Sequence, residues 1–183
     1  MGNTYLNTAE EYYRINKLIE KTDRPRKYME MGHAYVGNAA ISIECYLKHM
    51  IKLVRNEPEV ERNKPLKYTK KAKNGALHFV AFEHNILAIA RRIELESENT
   101  ITFSNELKKD LNKINDFYYM RYPNAKKYRD ITKEDINLCK RTINKIRIKA
   151  LTLEETYKIE RQKQIDAEKC IEENDEENNL YIK

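Results

Sequence analysis

The 183-residue chain has no tryptophan and only four glycines, four prolines and three cysteines. With so few residues that form tight turns, the composition favours long helices over many short strands. The cysteines (Cys45, Cys139 and Cys170) are odd in number, far apart and free of any CxxC pair. Neither a zinc site nor a disulfide framework is expected from them, and nothing else in the sequence asks for a metal or a cofactor. No apolar run approaches the roughly 18 residues of a membrane span. The amino terminus, Met1-Gly2-Asn3-Thr4, lacks the basic-then-apolar pattern of a signal peptide, and Gly2 lacks the Ser or Thr usual for myristoylation. These absences give the expectation of a cytoplasmic protein with reduced thiols and no membrane contact.

Charge is plentiful: 35% of residues are Asp, Glu, Lys or Arg, and the formal net charge is +6. It is distributed unevenly. Residues 166–183 hold seven carboxylates against Lys169 and Lys183, a net of −5, which leaves +11 on residues 1–165. A basic body attracts polyanions, an attraction that weakens with salt. The expected organisation is therefore one helical domain, residues 1–165, and an acidic, disordered tail, residues 166–183.

Helical spacing marks five segments. Residues 8–22 read as a first helix, capped by Thr8, with Tyr12, Ile15, Leu18 and Ile19 as its apolar stripe. The second runs from about Arg26 to Val54 and is apolar most of the way round beyond Ala39, as befits the centre of a bundle. Its Gly32, Gly37 and Ala39 permit a close neighbour, and Glu44 and Lys48 form an i, i+4 pair in the favourable order. Residues 56–76, with Pro58 and Pro65 among Arg62, Lys64, Lys67, Lys70, Lys71 and Lys73, read as an exposed basic connection. A third helix is expected from Asn85 to Leu95, with His84 at its start as a candidate cap. Ser104 caps a fourth, whose inner stripe is Leu107, Leu111, Ile114 and Phe117 or Tyr118. Thr132 and Asp135 make an approximate capping box for a fifth, in which Ile136, Cys139, Ile143, Ile146, Ala150, Leu153 and Tyr157 step by three and four. The fold class is thus all-α, an up-and-down bundle of about five helices with a long last helix.

One stretch concentrates candidate chemistry. Residues 116–128 read Asp-Phe-Tyr-Tyr-Met-Arg-Tyr-Pro-Asn-Ala-Lys-Lys-Tyr, with Arg121 among Tyr118, Tyr119, Tyr122 and Tyr128. Pro123 stops a helix near Met120 or Arg121. An arginine framed by aromatic rings suits phosphate: its fork binds two oxygens while its face stacks. The same residues also fit a helix end sealed by tyrosines, with Arg121 on the last carbonyls.

Three short runs resemble the HEPN domain family. Ala34-Tyr35-Val36-Gly37-Asn38-Ala39-Ala40-Ile41-Ser42-Ile43-Glu44-Cys45-Tyr46-Leu47-Lys48 is similar to the family's second helix, with its Glu-Cys-x-Leu-Lys core at Glu44, Cys45, Leu47 and Lys48. Glu83-His84-Asn85-Ile86 resembles the start of the third helix, and Arg121-Tyr122-Pro123 resembles an Arg-Tyr-Pro that many members carry. With the helices around and between them, the resemblance covers roughly residues 8–160. The resemblance implies an all-α bundle that dimerises with two Arg-bearing segments across a shared cleft. Many members are metal-independent ribonucleases, often toxins of toxin–antitoxin or phage-defence systems, with an Arg-x4–6-His motif. This chain departs from that motif: no His follows Arg121, and Lys126 occupies the place five residues on. A lysine near its usual pKa of ~10.4 is no base at neutral pH. Arg26 and His33 have the spacing but not the position.

The first expectation is therefore a HEPN-like protein without enzymatic activity. It would bind nucleotide or RNA phosphate in a dimer cleft through Arg121, Tyr118, Tyr119, Tyr122, Lys126 and Tyr128. An alternative is a ribonuclease toxin with a rearranged site, in which Arg121 holds the phosphate and Lys126, Tyr128, His84 or His33 moves protons. Another is a helical interaction module in a phage–host conflict, contacting a protein partner through the last helix and the acidic tail; a nucleotidyltransferase-like antitoxin is the partner that a toxin–antitoxin pair would imply. The sequence leaves open whether the chain is catalytic, its ligand, its oligomer size, and the roles of the basic connection and the tail.

Overall fold

A computed structural model describes residues 5–21, 31–57, 67–71, 77–81, 84–117 and 129–180. Five helices are found among them: α1 (Tyr5–Glu20), α2 (Gly32–Val54), α3 (Ile86–Glu96), α4 (Asn105–Asn115) and α5 (Lys133–Leu180). The architecture is the expected all-α bundle with a long last helix. It is built around α2, against which α1, α3 and α5 all pack. Tyr35, Ile43, Tyr46, Leu47, Met50 and Ile51 of α2 are fully buried, from several faces of the helix, as its all-round apolarity predicts. Ile136, Cys139, Ile143, Ile146 and Ala150 of α5 are buried at the predicted three- and four-residue steps.

Helix α1 corrects the sequence reading twice. It begins at Tyr5, so Thr8 lies inside it rather than at its cap, because Tyr5 and Leu6 pack against the core and extend the helix by a turn. The buried face carries Ala9, Asn16 and Ile19, while Ile15 and Leu18 stay exposed. Close approach to α2 selects this face. The Ser42 hydroxyl donates to the Ala9 carbonyl at 2.7 Å, and Asn16 Nδ2 donates to the Tyr35 carbonyl at 3.2 Å. Such contacts need a small and a polar residue there, which an apolar-stripe search passes over.

The stretch read as an exposed basic connection, residues 56–76, contains the first strand of an antiparallel hairpin whose second strand follows just beyond it. Strand β1 (Lys67–Lys71) pairs with β2 (Leu77–Ala81) in the register Lys67↔Ala81, Thr69↔Phe79 and Lys71↔Leu77. Lysine is a poor strand former, so β1 carries no strand pattern of its own and is held by β2. Neither strand packs extensively on a described helix.

Helix ends follow from the shortage of glycine. Past α2 the chain turns through Asn56 at φ 52°, and past α3 through Glu98 and Asn99 at φ 51° and 63°. The Glu57 N–H returns to the Lys52 carbonyl, and the Asn99 N–H to that of Glu94. These are left-handed caps in which asparagine and even glutamate stand where glycine is usual. Ser104 caps α4 as expected, accepting from the Leu107 N–H at 3.2 Å.

Helix α5 runs on through the segment expected to be disordered, as far as Leu180. Its inward stripe ends at the half-buried Tyr157, and from 158 to 169 every residue but Ile165 is exposed. The extension is helical because its composition, rich in Glu and Lys, favours helix. Pairs such as Gln162 with Asp166 link successive turns.

Candidate phosphate-binding site

Arg121, Tyr118, Tyr119, Tyr122, Lys126 and Tyr128 all lie outside the described residues, as does Arg26. The two ends of the segment that carries them, Phe117 and Arg129, are described, and they meet. Phe117, past the end of α4, is 2% exposed, and the Arg129 guanidinium lies 5.7 Å from its ring centroid. Arg129 is in turn fixed by a two-pronged bond to Asp135, Nη1 and Nη2 donating at 2.7 and 2.8 Å. Arg129, with help from the Thr132 N–H, outweighs burial and lowers the Asp135 carboxyl from 3.8 to about 2. Asp135 also closes the predicted capping box: the Thr132 N–H donates to it at 3.0 Å, and the Asp135 N–H donates to Thr132 Oγ1 at 3.2 Å.

The start of α2 secures the same corner. His33 Nε2 donates to the Arg129 carbonyl at 2.8 Å. A Cβ on Gly32 would stand 3.1 Å from Ile131 Cγ2, so the glycine gives the close approach expected of it. His33 thus serves the far end of the Arg121 segment as a backbone anchor.

The near end is tied to α3. Asn115, in the last turn of α4, accepts the Ile86 N–H at 2.9 Å. Asn85, not His84, caps α3, accepting the Ala88 N–H at 2.9 Å. An asparagine carboxamide reaches its own helix N-terminus easily, and His84 turns instead to α2. Its Nδ1 lies 3.0 Å from both carboxylate oxygens of Glu44. Lys48 Nζ donates to the same carboxylate at 2.5 Å. The Glu44 side chain is 5% exposed and that of His84 48%. A carboxylate only accepts, so Nδ1 carries a proton in this bond. A buried carboxylate holding a half-exposed imidazole in place is an arrangement that can move a proton to or from a bound group.

The two family-like runs around Glu44 and His84 are therefore brought together, beside the point where the Arg121 segment leaves α4. Glu44 and Lys48 had a sequence signal in their spacing. Their pairing with His84, forty residues on, had none apart from the resemblance. Arg129 was not singled out because Asp135 is six residues away, outside any helical pairing rule.

Other polar groups of the bundle serve packing. The Glu10 carboxylate accepts from Tyr46 Oη at 2.7 Å and from Arg147 at 2.8 and 3.1 Å. Burial works against its ionisation, but these donors outweigh it and hold its pKa below the usual value. The same carboxylate and burial push the Tyr46 hydroxyl far up. Burial raises the Cys45 thiol to about 12 and lifts Cys139 well above its ordinary value, so neither supplies a thiolate nucleophile. Among the described residues no group of three or more His, Cys, Asp or Glu could hold a metal ion, and no helix is long and apolar enough to cross a membrane.

No family profile, curated protein or solved structure matches the chain.

Proposed function

We propose that the chain is a HEPN-like module that binds the phosphate of a nucleotide or of RNA through Arg121, in a cleft shared by two copies. The observation that carries this reading is the meeting of Phe117 and Arg129, the two residues that bracket 118–128. Phe117 and Arg129 stand side by side, and Asp135, His33 and Asn115 pin the two ends to three helices. An arginine among tyrosines, in a sequence whose flanking residues are held together, suits a ligand that needs two hydrogen bonds and a stacking face. Tyr118, Tyr119, Tyr122 and Tyr128 would frame the base or ribose, and Lys126 would add charge. A toxin–antitoxin or phage-defence role is consistent with such a module.

The test is binding of fluorescent nucleotides and short RNA by wild type and Arg121→Ala. Loss of a charge-assisted pair worth about 1.5–3 kcal/mol corresponds to roughly tenfold to more than a hundredfold weaker binding. Equal affinity for both proteins would remove Arg121 from the site.

A second reading, a metal-independent ribonuclease, draws on the Glu44-held imidazole of His84. His84 would take the place of the histidine missing after Arg121, drawing the proton from a ribose 2′-hydroxyl while Arg121 steadies the phosphate. Incubation of labelled RNA with EDTA present decides between the two. Products ending in cyclic phosphate, absent with His84→Ala, favour the enzyme; intact RNA favours the binding module.

A further inference from the structure

We infer that the β1–β2 hairpin is an RNA-binding arm that grips the phosphate backbone beside the Arg121 site; this rests on the reading above and extends it from nucleotide to polynucleotide. Residues 62–73 carry Arg62, Lys64, Lys67, Lys70, Lys71 and Lys73 and no acid, a net of +6, equal to the formal charge of the whole chain. Three of these lysines lie in the five residues of β1, and none lies in β2 (Leu77-His78-Phe79-Val80-Ala81).

That asymmetry argues against the commonest use of strand lysines. In a two-stranded sheet both strands are edges, and lysine on an edge discourages pairing with other chains. The edge most in need of such protection here is the apolar β2, yet the lysines are all on β1. Their clustering therefore concentrates charge on one strand. A ribbon of two strands is marginal in water by itself, so this one gains from a partner of opposite charge.

The hairpin also stands in the right place. Ala81, the last residue of β2, is three residues from His84, and a chain of that length spans at most about 11 Å. His84 is bonded to Glu44, and the N-terminus of α3 is bonded to Asn115, where the Arg121 segment starts. The base of the arm and the start of that segment thus flank one end of the bundle. A mononucleotide could use Arg121 alone. A ligand that engages Arg121 and the arm together has several phosphates in series, and single-stranded RNA has them, with bases left over for the tyrosines.

The experiment measures anisotropy of a labelled 20-nucleotide single-stranded RNA, and separately of a labelled mononucleotide, between about 50 and 400 mM salt. It compares wild type, Lys67→Gln/Lys70→Gln/Lys71→Gln, the corresponding triple arginine variant, and Arg121→Ala. Each lost phosphate contact removes about 0.7 from the slope of log affinity against log salt for a single strand. The glutamine variant is expected to lose about 2 from that slope. The arginine variant is expected to keep it, which separates charge from folding, and thermal melting confirms that each variant is folded. A wild-type slope in the glutamine variant overturns the arm, as does a wild type that binds the mononucleotide but not the RNA. If Arg121→Ala binds both probes like wild type, the Arg121 reading fails while a reduced slope in the glutamine variant still supports the arm.

Discussion

Two histidine–glutamate pairs use α2, and they differ in what surrounds them. His49 Nε2 lies 2.9 Å from Glu154 of α5, with the side chains only 5% and 13% exposed. His84 meets Glu44 at a similar distance, but its ring is half in solvent. The first pair joins two packed helices and has no access to a ligand. The second has its acid in the core and its imidazole half in solvent. The same two residue types are thus buried between helices in one place and, at the imidazole, half-exposed in the other. The histidine count of the sequence could not have told them apart.

The widest gap between the pairs should appear in stability. His49→Ala leaves a cavity and removes a partner from the nearly buried Glu154, and is expected to cost about 2–4 kcal/mol in urea unfolding. His84→Ala leaves Glu44 paired with Lys48 and removes a half-exposed ring, so less than about 1 kcal/mol is expected. Equal losses would erase the distinction between the pairs.

A third acid–base pair, Arg129 with Asp135, brings pH into the comparison. The Asp135 pKa is depressed in the folded chain, from 3.8 to about 2. Its contribution is therefore fully present above about pH 4 and is lost as pH falls toward 2. Asp135→Asn is expected to be less stable than wild type at neutral pH and to lose less stability over that acid range, as followed by circular dichroism. Because Arg129 anchors the Arg121 segment, the same variant should also weaken nucleotide binding, whereas His49→Ala at permissive temperature should not.

The smallest effect lies away from all three pairs and sets a scale for them. Glu98 sits at φ 51° without the freedom of glycine. Glu98→Gly is expected to stabilise by about 0.5–1 kcal/mol, seen as a higher urea midpoint. Asn56→Gly, at φ 52°, should gain less, since asparagine tolerates that region better than glutamate.

The sequence made the bundle legible wherever apolar spacing and caps agreed: α2 by its burial all round, α4 by Ser104 and Leu107, α5 by its capping box and unbroken stripe. It misled where contact is made by small or polar residues. Ala9 and Asn16 face α2 while the more apolar Ile15 and Leu18 face water. The hairpin was hidden because three of the five residues of β1 are lysines, and strand pairing depends on partners six to fourteen residues away. At the site, the type of residue was readable but its company was not. Long-range partners such as Glu44 with His84, or His33 with the Arg129 carbonyl, come from the crossing of helices, which no local pattern encodes.

The length of α5 has an electrostatic consequence. Asp166 is nine residues beyond Tyr157, about 13 Å along a straight helix, and Leu180 is about 35 Å beyond it. At physiological salt a charge is screened within about 8 Å. The helix therefore holds the acidic segment outside the ionic atmosphere of the body that bears the positive charge. A polyanion nearing the bundle meets the field of residues 1–157, which is +9, and not the +6 obtained by summing the whole chain.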